Sequence, residues 1–410
     1  MKREDTPEEA AFRQEVRTWL DANAELRKGE GDWSNGPVDH SVEAEAEYFE
    51  KSRAWQAKLA EGGWAALTWA PEHGGRNATP AQAMIFAEEA ARYDCTNGYI
   101  SAPISLVGPS LIHFGTKEQQ ERYLKPMLSG EEIWCQLFSE PEAGSDLAGL
   151  RCRAVLDGDE FVVNGQKLWT TSAQYADYGF LLARTNVDVP KHDGISFLLI
   201  DMRQPGIEVR PLVTMKQDRH FNEVFFSDAR VPKENVVNGV DRGWDVAKFV
   251  LMNEGAMIGT GGGRTPSTAV LAQQAKESGR FDDAGVRQRL GEAFVRERVL
   301  ELLQDRLKDA ILDGRRPDVD GSVLKILTAE WGHAKAEMAL SLQGAHALLD
   351  GPDAIGRGTW QTSLLGKSAI SVGGGTSEVH RNGLGERTLR LPREPRLDRD
   401  QPFKELKTSG

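Results

Sequence analysis

The chain has 410 residues, of which 40% are apolar and 27% charged. That is enough for two or three domains at roughly 100–200 residues each. Its net charge of −12 excludes nucleic acid as the main partner, because phosphate binding needs a basic surface. No apolar run reaches the roughly 18 residues of a membrane span. The start, Met1-Lys2-Arg3-Glu4-Asp5-Thr6, has no apolar stretch of the secretory kind, so a cytoplasmic location is expected. Cys95, Cys135 and Cys152 are odd in number and lack CxxC spacing, which fits reduced thiols. The eight histidines form no HxxxH or HExxH pair, so no metal site is expected.

Residues 8–130 read as helical. Apolar positions recur at helical spacing in 9–22 (Phe12, Val16, Leu20) and in 43–61 (Phe49, Trp55, Leu59). A third helix, 79–94, opens on Thr79-Pro80 after the loop residues Gly74-Gly75, and a fourth, 117–127, runs out at Gly130. From 133 to about 231 the period changes to short β-type runs: 153–156, 161–163, 178–183, 195–200 and 222–226. Asp157-Gly158-Asp159 and Asn164-Gly165 between them are hairpin signals. Runs this short and regular predict a small antiparallel barrel or sandwich. Helical spacing returns in 246–257, 268–278, 285–312, 322–349 and 358–371, which predicts a four-helix bundle. Gly259-Thr260-Gly261-Gly262-Gly263 reads as a flexible interruption, and 398–410 as a frayed polar end. The fold class is therefore mainly α with a central β domain. Its expected parts are a helical domain at 1–131, the β-barrel at 132–243, the bundle at 244–395 and a polar tail at 396–410.

Two stretches stand out chemically. Cys135-Gln136-Leu137-Phe138-Ser139-Glu140-Pro141-Glu142-Ala143-Gly144-Ser145-Asp146 passes from apolar residues into a turn of Ser, Gly and acids. Trp169-Thr170-Thr171 ends a second apolar run. Small hydroxyl residues and a flat aromatic at two strand ends suit a planar, hydrogen-bonding cofactor. A third stretch, Gly373-Gly374-Gly375-Thr376-Ser377-Glu378, permits close backbone approach but lacks the Lys of a P-loop.

In this order, together with Gly63-Trp64, Pro71-Glu72-His73-Gly74-Gly75, Phe114-Gly115-Thr116-Lys117-Glu118-Gln119 and Asn164-Gly165-Gln166-Lys167, these landmarks resemble the acyl-CoA dehydrogenases. The resemblance runs from about Trp64 to Glu394. It implies FAD as cofactor, held by Gln136, Phe138, Ser139, Ser145, Trp169, Thr171, Thr376 and Glu378. Ser145, Gly374 and Gly375 would also meet the acyl-CoA substrate. It further implies α,β-desaturation of the thioester to a trans-2-enoyl-CoA, reoxidation by an electron-transfer flavoprotein, and a homotetramer or a heterotetramer with a related chain.

The chain departs from the family at the base. Many members carry the catalytic Glu directly before the Gly-Thr of the Gly-rich turn, where this chain has Gly374. A second family arrangement places it on the first long helix of the C-terminal bundle, and Leu251-Met252-Asn253-Glu254 fits that position. Apolar neighbours there are expected to raise the Glu254 pKa, which suits a general base. The Arg that usually follows is replaced by Gly255. Near Ser278-Gly279-Arg280-Phe281 the family's Arg-x-x-Phe-Gly pattern is missing, leaving Arg280 as a weak cofactor candidate beside its reading as a solvated loop charge. Two alternatives stay open: a non-catalytic partner subunit of a heteromeric dehydrogenase, and a related flavin oxidase.

Overall fold

A computed structural model describes residues 4–27, 41–95, 98–259, 267–315, 320–395 and 398–406. Among the described residues the first helices are α1 (Pro7–Asn23), α2 (Val42–Glu61), α3 (Pro80–Ala90), α4 (Gly98–Phe114) and α5 (Lys117–Ser129). Three of them begin alike. The hydroxyls of Thr6, Thr79 and Thr116 each accept an amide three residues on, and the side chains of Glu9, Gln82 and Gln119 reach back to the cap amide. This reciprocal cap satisfies donors that a helix start leaves open. Gly130 then stops α5 in the left-handed conformation (φ 69°).

Among the described residues the strands are β1 (Trp134–Leu137), β2 (Arg153–Asp157), β3 (Glu160–Thr171), β4 (Tyr178–Arg184), β5 (Ile195–Asp201), β6 (Ile207–Leu212), β7 (Phe221–Pro232) and β8 (Val236–Val237). They form one sheet in the order β6-β7-β3-β2-β4-β5-β8, with β1 paired to β4. The sequence predicted antiparallel pairing throughout. The sheet is instead mixed, because β1 runs parallel to β4 with Cys135 opposite Gly179. The expected hairpin at Asn164-Gly165 is also overturned. The β2–β3 turn closes at Gly158-Asp159, and β3 continues through Asn164-Gly165 with a register shift there. The glycine permits close approach instead: a Cβ on Gly165 would lie 2.7 Å from Cys152 Cα.

β1 separates two apolar clusters. Trp134 and Phe138 face one that includes Leu111, Leu124, Phe180 and Phe197. Cys135 and Leu137 face another that includes Phe161, Val163, Leu198 and Val224. Alternating side chains on a strand buried on both sides produce this division. Cys135 and Cys152 are free thiols, and burial pushes the Cys152 thiol up to about 12.

The later helices are α6 (Gly243–Gly259), α7 (Thr268–Glu277), α8 (Ala284–Leu312), α9 (Gly321–Gln343), α10 (Thr359–Val372) and α11 (Ser377–Gly383). α7, α8, α10 and α11 all pack on α9, whose Ala336, Ala339 and Leu342 are buried. The helix expected to reach 349 ends at Gln343, and Gly344 (φ 59°) turns the chain into a 3₁₀ segment. Thr260 and Gly261-Gly262-Gly263 of the expected interruption lie outside the described residues. The fold is thus mostly helical with a central mixed sheet.

The chain divides into two compact units. One holds the described residues up to Leu26, from Ser41 to Asn253 and from Glu394 onward, and the other holds Arg27 and the described residues from Glu254 to Arg393. The C-terminal segment corrects a sequence expectation. Residues 398–406 are not frayed: Phe403 and Lys404 donate their amides to Val189 and Val187 at 2.8 and 3.0 Å. The Phe403 ring is buried, and Asp398 pairs with Lys191 at 2.8 Å. A single aromatic in a polar tail anchors it, which composition alone conceals.

Candidate active site

In the first unit the chain leaves the β1 ladder after Leu137. The Phe138 ring turns into the core, edge-on to Phe180 and Phe197 at 5.7 and 6.1 Å. Of the predicted cofactor residues, Phe138 therefore offers only its main chain. Gln136 and Ser139 are half-buried, while Ser145 is exposed. Glu140 and Ala143 exchange backbone hydrogen bonds at 3.0 and 3.1 Å, which makes Pro141-Glu142 the tip of a tight turn. Beyond it, Lys191 holds Asp146 at 3.0 Å, next to Ser145.

β3 supplies the other wall. Its register shifts again between Lys167 and Thr170, and within this bulge Trp169 takes a left-handed φ of 60°. A bulky residue at positive φ is strained and persists only where its surroundings impose it. Trp169 is 57% exposed, and its ring is braced by Phe221 edge-on at 5.6 Å. Leu168, its neighbour, donates its amide to the Ser139 carbonyl at 2.9 Å. Ser139 and the Trp169 bulge are therefore brought together, as the sequence predicted for two strand ends.

Thr171 is half-buried beside the bulge and pairs with Phe221. The hydroxyls of Thr170 and Ser172 are buried and have no hydrogen-bond partner. Buried polar atoms are nearly always partnered, so such orphans call for a missing donor or acceptor. An exposed flat indole, small hydroxyl residues and unsatisfied hydroxyls in one stretch fit a planar, hydrogen-bonding group such as a flavin. Sequence reasoning singled out Trp169 and Ser139 but gave no role to Lys167 and Glu140. These form a buried ion pair at 2.8 Å behind the loop. The available signal was a lysine at an inward position of an alternating apolar strand.

In the second unit, Gly374 (φ 64°) and Gly375 (φ 88°) make the turn between α10 and α11. Their carbonyls are taken. His380 Nε2 lies 2.9 Å from the Gly374 oxygen, and the Lys325 ammonium donates to the Gly375 oxygen at 2.5 Å. Burial pushes the Lys325 pKa down. The Thr376 hydroxyl caps α11 by accepting from the Val379 amide at 3.2 Å. Glu378 is exposed, 3.7 Å from Arg381.

Glu254 sits half-buried on α6. Of the apolar residues flanking it in sequence, Val250 is buried and Phe249 half-buried, while Leu251 and Met252 are 38% and 62% exposed. The side chains of Ala256, Met257 and Ile258 lie outside the described residues. Arg280 is not a solvated charge: its guanidinium donates to the Ser341 carbonyl at 2.6 Å, fastening the α7–α8 connection to α9. Among the described residues no cluster of His, Cys, Asp and Glu could hold a metal ion. None of the described helices is long and apolar enough to cross a membrane.

Three family models match the chain in succession. They are the acyl-CoA dehydrogenase N-terminal domain over residues 6–131, the middle domain over 135–229 and the C-terminal domain over 241–389. The chain is 38% identical to acyl-CoA dehydrogenase IpdE1 of Mycobacterium tuberculosis over 387 residues, covering 93% of this chain and 98% of that protein. It is 36% identical to acyl-CoA dehydrogenase FadE34 of the same organism, over 82% of this chain and 46% of that one. Among solved structures it resembles the Tcur3481-Tcur3483 steroid ACAD, with a TM-score of 0.79 and 26% identity over 96% of this chain and all of that one. It also resembles the ChsE4-ChsE5 complex from Mycobacterium tuberculosis, with a TM-score of 0.74 and 28% identity over 96% and 100%. The chain belongs to the acyl-CoA dehydrogenase family and is an oxidoreductase of that family.

Proposed function

We propose that the chain binds FAD along the Ser139 loop and the Trp169 bulge and desaturates an acyl-CoA thioester to a trans-2-enoyl-CoA. The observation that carries this is the exposed Trp169 ring, held at a left-handed φ beside Ser139. A core aromatic would not be turned outward at the expense of strain. Gln136, Phe138 through its main chain, Ser139, Ser145, Trp169, Thr171, Thr376 and Glu378 would hold the cofactor. Ser145 and the backbone of Gly374-Gly375 would meet the substrate.

The α-hydrogen of a thioester is a weak acid, so its removal needs a placed base and stabilisation of the charge growing on the carbonyl oxygen. Glu254 is assigned the base role, because Gly374 occupies the family's other base position and has no side chain. The backbone N–H groups of Gly374-Gly375 are assigned the carbonyl. When bound, FAD would supply the acceptor for the β-hydrogen and its electron pair; the two electrons would then pass to an electron-transfer flavoprotein and the protons to solvent. The resemblance to a steroid ACAD supports acyl groups bearing a steroid ring as the first substrates to try, and the resemblance to the ChsE4-ChsE5 complex supports assembly with a related chain; a homotetramer or heterotetramer is the assembly proposed.

The visible spectrum of the purified protein tests cofactor binding. Anaerobic bleaching with a panel of acyl-CoA thioesters, some ring-bearing, tests the reaction. Glu254→Gln should slow bleaching by about a hundredfold or more, the usual scale of a general base, while leaving FAD bound. Bleaching at the wild-type rate would remove Glu254 from the mechanism. Oxygen consumption without an added acceptor would point to an oxidase instead. The second reading, a non-catalytic partner subunit, is favoured by Gly255 and Gly374, where the family's charged residues are missing. It predicts a colourless protein that gains FAD only when co-expressed with a related chain.

A further inference from the structure

Lys167 is fully buried in β3, and its ammonium donates to the Phe138 carbonyl and to Glu140 Oε1, each at 2.8 Å. The other partners of that carboxylate are main-chain amides. Arg151 donates to Oε2 at 2.7 Å and Cys152 to Oε1 at 2.9 Å. One ion pair thus joins three stretches of chain: β3 just before the Trp169 bulge, the loop on both sides of Ser139, and the entry to β2.

A buried ion pair is a weak source of stability, because desolvating two charges offsets their attraction. Its better-attested use is to fix one arrangement among several. The arrangement fixed here is the placement of Ser139 against Trp169. Both neighbours of Ser139 are gripped by the same ammonium. Leu168, the neighbour of Trp169, is bonded to the Ser139 carbonyl. The ion pair itself faces the interior, with Lys167 at 0% and Glu140 at 9% exposure, so it presents no surface to a ligand.

We infer that Lys167 and Glu140 are a positioning pair, which holds the Ser139 loop and the Trp169 bulge at the spacing a flavin ring needs. This rests on the proposal that the chain binds FAD. The pair acts through the backbone of Phe138, Ser139 and Leu168. Its loss therefore acts on cofactor affinity separately from its effect on folding.

The test uses the full chain as wild type, Lys167→Met, Glu140→Gln and the double variant. Each is stripped of FAD and titrated with it, following fluorescence quenching and the visible band shape, with a urea midpoint measured in parallel. The single variants should weaken FAD binding by roughly ten- to a hundredfold, the range that outer-shell partners of a bound group command in metal sites. The double variant removes both charges. It should regain much of the urea resistance lost by Lys167→Met while its FAD affinity stays low and its spectrum stays that of free flavin. A double variant that binds FAD with wild-type affinity and band shape would overturn the inference and leave the pair merely structural. If Lys167→Met does not fold, Glu140→Gln and the double variant still make the comparison. Wild-type protein that takes up no FAD overturns the proposed function, and the pair's role with it, before any variant is compared.

Discussion

The Arg184 guanidinium lies 3.8 Å from the centre of the Phe403 ring. Arg184, on β4, is buried and donates to the carbonyls of Ala148 and Lys191, each at 2.6 Å, so it fixes both the segment after Ser145 and the 187–191 loop. Burial pushes its pKa down to about 10. Phe403 supplies part of that burial from the C-terminal segment. Phe403→Ala should open a cavity and admit water to the guanidinium. A loss of about 3 kcal/mol is expected for a buried Phe to Ala change, read as a lower urea midpoint, together with faster tryptic cleavage at Arg399 and Lys404. An unchanged midpoint would mean that the segment is only draped over the sheet.

Trp169 offers a test that separates a ligand surface from a core residue. Its ring is mostly exposed and touches Phe221 only edge-on. Its positive φ is a strain that the indole does not relieve. Trp169→Ala should therefore change unfolding stability by no more than about 0.5 kcal/mol, as for ordinary surface positions. The same variant should lose FAD affinity by about tenfold, since an aromatic contact with a planar ring contributes on the order of 1 kcal/mol. Parallel denaturation and FAD titration check both halves. A core aromatic would give the reverse pattern, with a large stability loss and unchanged binding.

Periodicity located most helices and strands, because Phe12, Val16 and Leu20 or Leu198 and Ile200 repeat at the spacing of their buried faces. It gave no separate outline to α4, which carries Pro103 and Pro109 inside the helix, since proline ordinarily ends one. It misplaced a turn at Asn164-Gly165, because the dipeptide that makes a hairpin turn also suits a bulge. Ser139 and Trp169 were legible at the site as residue types in order. The contacts that link them were not, since the Leu168 amide and the Ser139 carbonyl, like Lys167 and Glu140, are distant in sequence. The Arg184–Phe403 contact was hidden for the same reason.

Glu89 sets an acid limit for the first unit. It is buried on α3 and accepts from Arg17 at 2.8 and 3.0 Å and from Arg13 and Arg92 at 2.9 Å each. Burial alone would raise its pKa, but the bonds from Arg17, Arg13 and Arg92 prevail and lower it to about 2. Between about 2 and the ordinary 4.5 the unfolded chain binds the extra proton, so stability falls as pH falls through this window. The contribution present above pH 4.5 is on the order of 3 kcal/mol. Glu89→Gln should remove most of it at neutral pH and flatten the acid limb of the unfolding curve. A variant with the same acid slope as wild type would assign that limb to other carboxylates, such as Asp218, which Lys216, His220 and Thr214 also hold low against its burial.

Lys335 gives the opposite sign in the second unit. It is 2% exposed on α9, and its ammonium lies 5.3 Å from the Trp331 ring centre. Burial lowers its pKa to about 8, only partly opposed by Glu297. Between pH 8 and the ordinary 10.5 the unfolded state holds more protons than the folded one, so this group makes stability rise with pH. Below pH 8 its full penalty is present. Lys335→Met keeps the chain length and removes the charge, so it should raise Tm at pH 7. The gain should narrow as pH approaches 10, where the folded wild type has already shed its proton. Thermal unfolding of both proteins from pH 6 to 10 measures this difference. A constant gap across that range would mean that packing, and not desolvation of the ammonium, sets the change.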